Sequence, residues 1–171
     1  MESGVADFDM AVLGQGLPAH VEALIAEAGK HRSQPEIALP LLLQANQLAP
    51  DHPATLIGLY RFHFYGHELD KARETAKRSL SLGAKMLGLP PRWQDVELMP
   101  LPGARFDAAT RFYLFALKGF AYLSLRLGEM EIGKEALDVL AELDPDNRVG
   151  ARVLEEVLAR VGKDDYSDEP V

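Results

Sequence analysis

Residues 130–145, MEIGKEALDVLAELDP, lie without a gap over residues 35–50, PEIALPLLLQANQLAP, and residues 69–84, LDKARETAKRSLSLGA. Glu36, Asp70 and Glu131 place a carboxylate in the first turn of each copy, where a helix dipole favours it. Ala38, Ala72 and Gly133 are small, Leu42, Ala76 and Leu137 are apolar, and Leu48, Leu82 and Leu143 precede an end at Pro50, Ala84 and Pro145. The first two copies are offset by 34 residues and the third by a further 61, which is 34 plus an insert of 27. Another amphipathic stretch precedes each copy, so the repeating unit reads as a helical hairpin.

Working outward, apolar residues recur at helical spacing along the chain, and nowhere does strict alternation run long enough for a strand. The fold class is therefore all-α. Proline at first helical positions and Gly or Pro after helix ends place the boundaries. Helices are expected over about 18–31, 35–48, 53–66 and 69–87, a single turn around Trp93, and further helices over about 107–127, 130–143 and 147–161. Pro40 interrupts the second of these, where it removes a hydrogen bond to Glu36 and should kink or delay the helix. Between about 85 and 106 lies an irregular insert with Pro90, Pro91, Pro100 and Pro102. Residues 1–17 read as a flexible leader, 18–161 as one domain, and 162–171 as an acidic disordered tail.

The repeat pattern resembles the tetratricopeptide repeat family, whose 34-residue unit uses small residues at the crossing of its two helices and a proline after the second. Leu117, Phe120, Ala121, Gly128, Met130, Gly133, Leu137, Leu140 and Pro145 fall where that family places its large, small and turn residues. Tyr60 departs from the pattern, standing at a usually small site unless one extra residue at Gly66-His67 shifts the register. The resemblance implies a solenoid of antiparallel hairpins with a concave groove lined by the first helix of each pair. In such a stack neighbouring hairpins bury each other's apolar faces. The last helix reads as a terminal cap, with Val149, Val153, Leu154 and Val157 inward and Glu155, Glu156 and Arg160 outward.

Composition narrows the function. With 171 residues and 47% hydrophobic content the chain can build one core. Its 26 acidic and 18 basic residues give a net charge of −8, which opposes nucleic-acid binding. The longest apolar stretch, Ile37 to Leu43, is far too short to span a bilayer, so no membrane is expected. Cysteine is absent, which removes disulfides, thiolate catalysis and cysteine-ligated metals. Together with an N-terminus lacking a basic leader and an apolar core, this points to the cytoplasm.

No residue pattern supports catalysis or a cofactor. His63 and His67 are four apart, but Gly66 ends their helix and no zinc motif surrounds them. Gly14-Gln-Gly16 lacks the third glycine and the following Lys-Ser/Thr of a phosphate loop. Adjacent carboxylates, Glu155 with Glu156 and Asp164 with Asp165, do not form acid/base pairs.

The informative surface is on helix 107–127. At 100° per residue Arg111, Phe115, Lys118, Tyr122 and Arg126 fall within about 80° of one another, while Phe112, Tyr113, Leu117, Phe120 and Leu127 occupy the remainder. In the family it resembles, positions matching Lys118 and Tyr122 touch a bound peptide. Three cations and two aromatics fit an acidic segment or a terminal carboxylate of another protein, extended by Arg61. Against this stands an exposed, solvated face with its aromatics covered by the insert. The acidic tail, Asp164 to Glu169, is a candidate occupant. The carboxylate clamp of chaperone-binding family members is absent, since no Asn matches. Trp93 either anchors the insert by burial or serves as a partner hot spot. The function expected is a non-enzymatic binding module: an adaptor, scaffold, or assembly or secretion chaperone. The alternatives are a small-ligand protein or enzyme using a pocket between the insert and helix 107–127, and a homo-oligomer formed through the groove.

Overall fold

A computed structural model describes residues 16–102 and 107–167. Among them are seven α-helices and no strand: α1 (Ala19–Lys30), α2 (Pro35–Leu48), α3 (Pro53–Tyr65), α4 (Leu69–Leu87), α5 (Ala108–Arg126), α6 (Met130–Leu143) and α7 (Arg152–Ser167). A 3-10 turn at Trp93–Asp95 lies between α4 and α5. Each helix packs against the next in the chain.

Local chemistry sets the boundaries. Pro35 and Pro53 open α2 and α3 at the first helical position, where the missing N–H would have no partner in any case. His52 Nδ1 accepts from the Ala54 amide at 3.1 Å, and the Asp107 carboxylate accepts from Ala109 at 2.8 Å and Thr110 at 3.3 Å. At the far end of α4, Gly88 adopts φ 68°, the left-handed stop that glycine takes without strain. Pro40 does not delay α2, which begins at Pro35. Pro40 and Glu36 are both exposed, so the carbonyl that loses its helical donor faces water.

Small residues allow the helices to approach. Ala38 and Ala72 are fully buried, and a Cβ on Gly133 would stand 2.6 Å from Leu125 Cδ2, so the α5–α6 crossing requires glycine. The main core gathers Leu114, Leu117 and Phe120 of α5 with Leu80 of α4 and Leu137 and Leu140 of α6. Each such side chain contributes about 1.5–3 kcal/mol on burial. The insert docks onto this core: Trp93 is 7% exposed, its ring centroid 5.8 Å from that of Phe120, and the Leu101 amide donates to the Leu143 carbonyl at 3.0 Å.

The last helix differs from expectation. It starts at Arg152 rather than 147, because Asn147 (φ 54°) and Gly150 (φ 75°) form a turn instead. Asp144, 6% exposed, accepts from the Arg148 and Val149 amides at 3.0 Å each, and Asn147 Oδ1 accepts from the Arg152 amide at 3.1 Å. Those side chains compete with helical hydrogen bonding and hold the turn. Val149 consequently leaves the register of the helix: Val149 and Leu154 are buried, whereas Val153 is 47% exposed. The Val157 side chain lies outside the described residues. The helix also runs through Ser167, so residues 162–167 of the expected tail have helical backbone. Residues 1–15 of the leader, 103–106 of the insert and 168–171 of the tail lie outside the described residues.

Candidate functional site

Eleven residues of α5 are buried, and the row Arg111, Phe115, Lys118 and Tyr122 is half-buried with Arg126 exposed at its end. The five expected residues thus lie along one flank of α5, with Arg126 its exposed member. Arg61 is half-buried on α3, which runs alongside: Tyr60 lies against Gly119, and the Phe64 and Tyr122 ring centroids are 5.9 Å apart.

The face is aromatic as well as basic. Tyr60 stacks on Phe64 at 5.8 Å with 21° between planes, and Phe64 meets Tyr65 edge-on at 5.4 Å. Tyr65 is 49% exposed. Burial, and then the nearby Tyr122 and Tyr65 phenols, push the Tyr60 hydroxyl well above its ordinary pKa, so it stays neutral. Arg126 caps the strip: its guanidinium donates to Tyr122 Oη at 2.7 Å and lies 5.7 Å from the ring centroid. Tyr60, Phe64 and Tyr65 were missed among the candidate site residues. Their signal was the unbroken aromatic and basic run Tyr60-Arg-Phe-His-Phe-Tyr65. The unusual size of Tyr60 is accommodated by Gly119 opposite.

Charge is segregated. Neither α3 nor α5 contains a single Asp or Glu, although the chain has 26, and together they carry Arg61, Arg111, Lys118 and Arg126. The carboxylates sit elsewhere, four of them, Glu131, Glu135, Asp138 and Glu142, on α6 alone.

Two expected site residues have structural employment. Lys118 Nζ donates to the Val149 carbonyl at 2.7 Å and lies 5.9 Å from the Phe115 ring centroid, joining α5 to the turn before α7. Burial lowers its pKa. Trp93 is inside, packed on Phe120, so it is no exposed hot spot. A cleft of about 90 Å³ opens between α6 and α7, lined by Leu137, Leu140, Asp144, Asn147, Arg152 and Glu155.

The histidines do not converge. His63 is on α3, while His67 (φ 59°) is in the turn beyond its end. Among the described residues no three His, Asp or Glu side chains group to hold a metal. His63 Nδ1 is buried without a hydrogen-bond partner, and desolvation, then Lys71, lower its pKa against the opposing pull of Glu68 and Asp70. No helix among the described residues is long and apolar enough to cross a membrane.

Fold and site together define, among the described residues, an all-α protein in which two neighbouring helices with no Asp or Glu of their own share an aromatic–basic face. No family model matches the sequence, and no solved structure matches it. A protein of Azotobacter chroococcum mcd 1, described as "Uncharacterized 19.8 kDa protein in nifW 5'region", is 42% identical over 156 residues, covering 90% of this chain and 87% of its own length. The chain belongs to the same family as that protein.

Proposed function

We propose that this chain is a non-enzymatic, tetratricopeptide-repeat-like binding module of the cytoplasm that takes up an acidic segment of another protein along α3 and α5. The observation that carries the reading is the exclusion of every carboxylate from these two helices in a chain of net charge −8. Such segregation draws an anionic chain to one face by long-range attraction, and the Tyr60, Phe64, Tyr65 and Tyr122 rings supply contact area of low entropic cost. A solenoid of hairpins agrees with sequential helix packing and with small residues at the crossings. Adaptor and chaperone roles both fit this chemistry.

The test is an Arg111→Glu/Arg126→Glu variant, which leaves the Lys118 bond to α7 intact. A labelled peptide of residues 162–171, GKDDYSDEPV, serves as the first acidic probe, followed by proteins that co-purify in stoichiometric amount from native cells. The Azotobacter relative is described by its position in the nifW 5′ region, so the nifW product is a defined bait. Acidic partners should lose at least tenfold in affinity for the variant. Equal binding by the variant, or equal binding of a basic control peptide, overturns the reading.

A further inference from the structure

The two ends of the helix series differ. At the C-terminal end α7 turns Glu155, Glu156 and Arg160 outward, the polar outer face that a terminal element of a helical stack needs. At the N-terminal end of the described residues α1 exposes Glu22, Glu27 and Lys30, but α2 beside it keeps an uncharged, partly apolar flank. Asn46 of α2 accepts from Arg78 of α4 at 3.1 Å, which fixes the flank of α2 that looks along the chain. Ile37 lies about 180° around the helix from Asn46, with Leu41 and Leu48 within about 40° of Ile37. Ile37 is 39% and Leu48 51% exposed, and Leu41 is half-buried. Pro40 and Gln44 complete this flank, which bears no charge. On α1, Ile25 approaches Gly58 of α3, so the side turned away from α3 carries Ala19, His20, Ala23, Glu27, Lys30 and His31, with half-buried Leu24 at its edge. Its one carboxylate, Glu27, is already paired with His31 at 3.1 Å and Lys30 at 3.6 Å.

We propose that this open end of the α1–α2 hairpin is a homodimer interface, in which a second copy of the chain packs hairpin against hairpin about a two-fold axis. Charge argues for a second copy. Two chains of net charge −8 repel over most of their surfaces, but an uncharged apolar row placed on itself meets no like charge. Size argues the same way. Helices of 12 and 14 residues are about 18 and 21 Å long and about 10 Å wide. Pairing two such faces buries on the order of 1,000 Å² in total, at the threshold of a specific interface and consistent with micromolar association. The interface lies apart from the aromatic–basic face, so it stands whether or not that face binds a peptide.

Sedimentation equilibrium of the full chain across about 1–100 µM tests it. The expected result is a concentration-dependent rise from 18.8 kDa to twice that mass. Ile37→Glu/Leu48→Glu should remain at the monomer mass with an unchanged helical circular dichroism spectrum. Leu43→Glu alters a 50% exposed leucine on the other flank of the same helix and should dimerise like the unaltered chain. A full chain that stays monomeric throughout overturns the proposal. So does a dimer that survives the double substitution, or that Leu43→Glu disrupts equally. Dimerisation only after removal of residues 1–15 would show that the chain's own N-terminal segment occupies the face, and would overturn it too.

Discussion

Gly119 lies beneath the Tyr60 phenol, and a Cβ there would stand 2.6 Å from Oη and 3.1 Å from Cζ. The ring is held by its stack on Phe64, so it cannot tilt away without disturbing the aromatic strip. Gly119→Ala should therefore cost about 1–3 kcal/mol in thermal or urea unfolding. Tyr60→Phe combined with Gly119→Ala should regain part of that loss, because the nearest clashing atom is the hydroxyl oxygen. His63 supplies a pH dependence. Its folded pKa lies below the ordinary 6.5, so the unfolded chain takes up the proton more readily. Stability linked to His63 is complete above about pH 6.5 and is lost as the pH falls below it. His31, raised by Gln34 and Glu27, pulls the other way. The measurement is thus the difference between the unaltered chain and His63→Phe in urea midpoint from pH 7.5 to 5, and the variant should show the shallower acid loss.

At the scale of elements, α7 depends on few groups. Asp144 satisfies two amides of the preceding turn, and Lys118 holds the Val149 carbonyl from α5. Asp144→Ala leaves both amides without their acceptor, at a cost on the order of 2 kcal/mol. Hydrogen exchange over residues 148–160 should accelerate before that of α4 and α5 changes. Equal acceleration throughout would mean that the turn is no local clasp. Lys118→Met should produce a weaker version of the same pattern. The sequence places α2 to α6 because Pro35, Pro53, Gly88 and Asp107 punctuate them with local chemistry. It misplaces the start of α7 because Asp144 and Asn147 hold a turn through side-chain bonds that compete with helical hydrogen bonding and that apolar periodicity does not register, while the clasp, Lys118, comes from α5.

Across the whole molecule, segregation of charge is the largest-scale feature. If α3 and α5 receive an acidic segment, the attraction is screened once the Debye length shrinks below the width of the face, from about 14 Å at 50 mM to about 6 Å at 300 mM salt. Fluorescence anisotropy with the 162–171 peptide should show affinity falling several-fold over that range. A salt-independent affinity would assign recognition to the aromatics alone.

The all-α class, the repeat offset, the small residues at the crossings and the row Arg111, Phe115, Lys118, Tyr122 and Arg126 are all legible in the sequence. They depend on spacing along one helix or on residue size, and helical geometry converts both directly into position. The run Tyr60–Tyr65 is visible in the sequence, but its joining to that row is not, because Phe64 meets Tyr122 only when α3 and α5 lie side by side. The roles of Trp93 and Lys118 were decided by tertiary structure for the same reason. A buried indole and a lysine bonded to a carbonyl 31 residues away are set by what packs across from them, which no local pattern encodes.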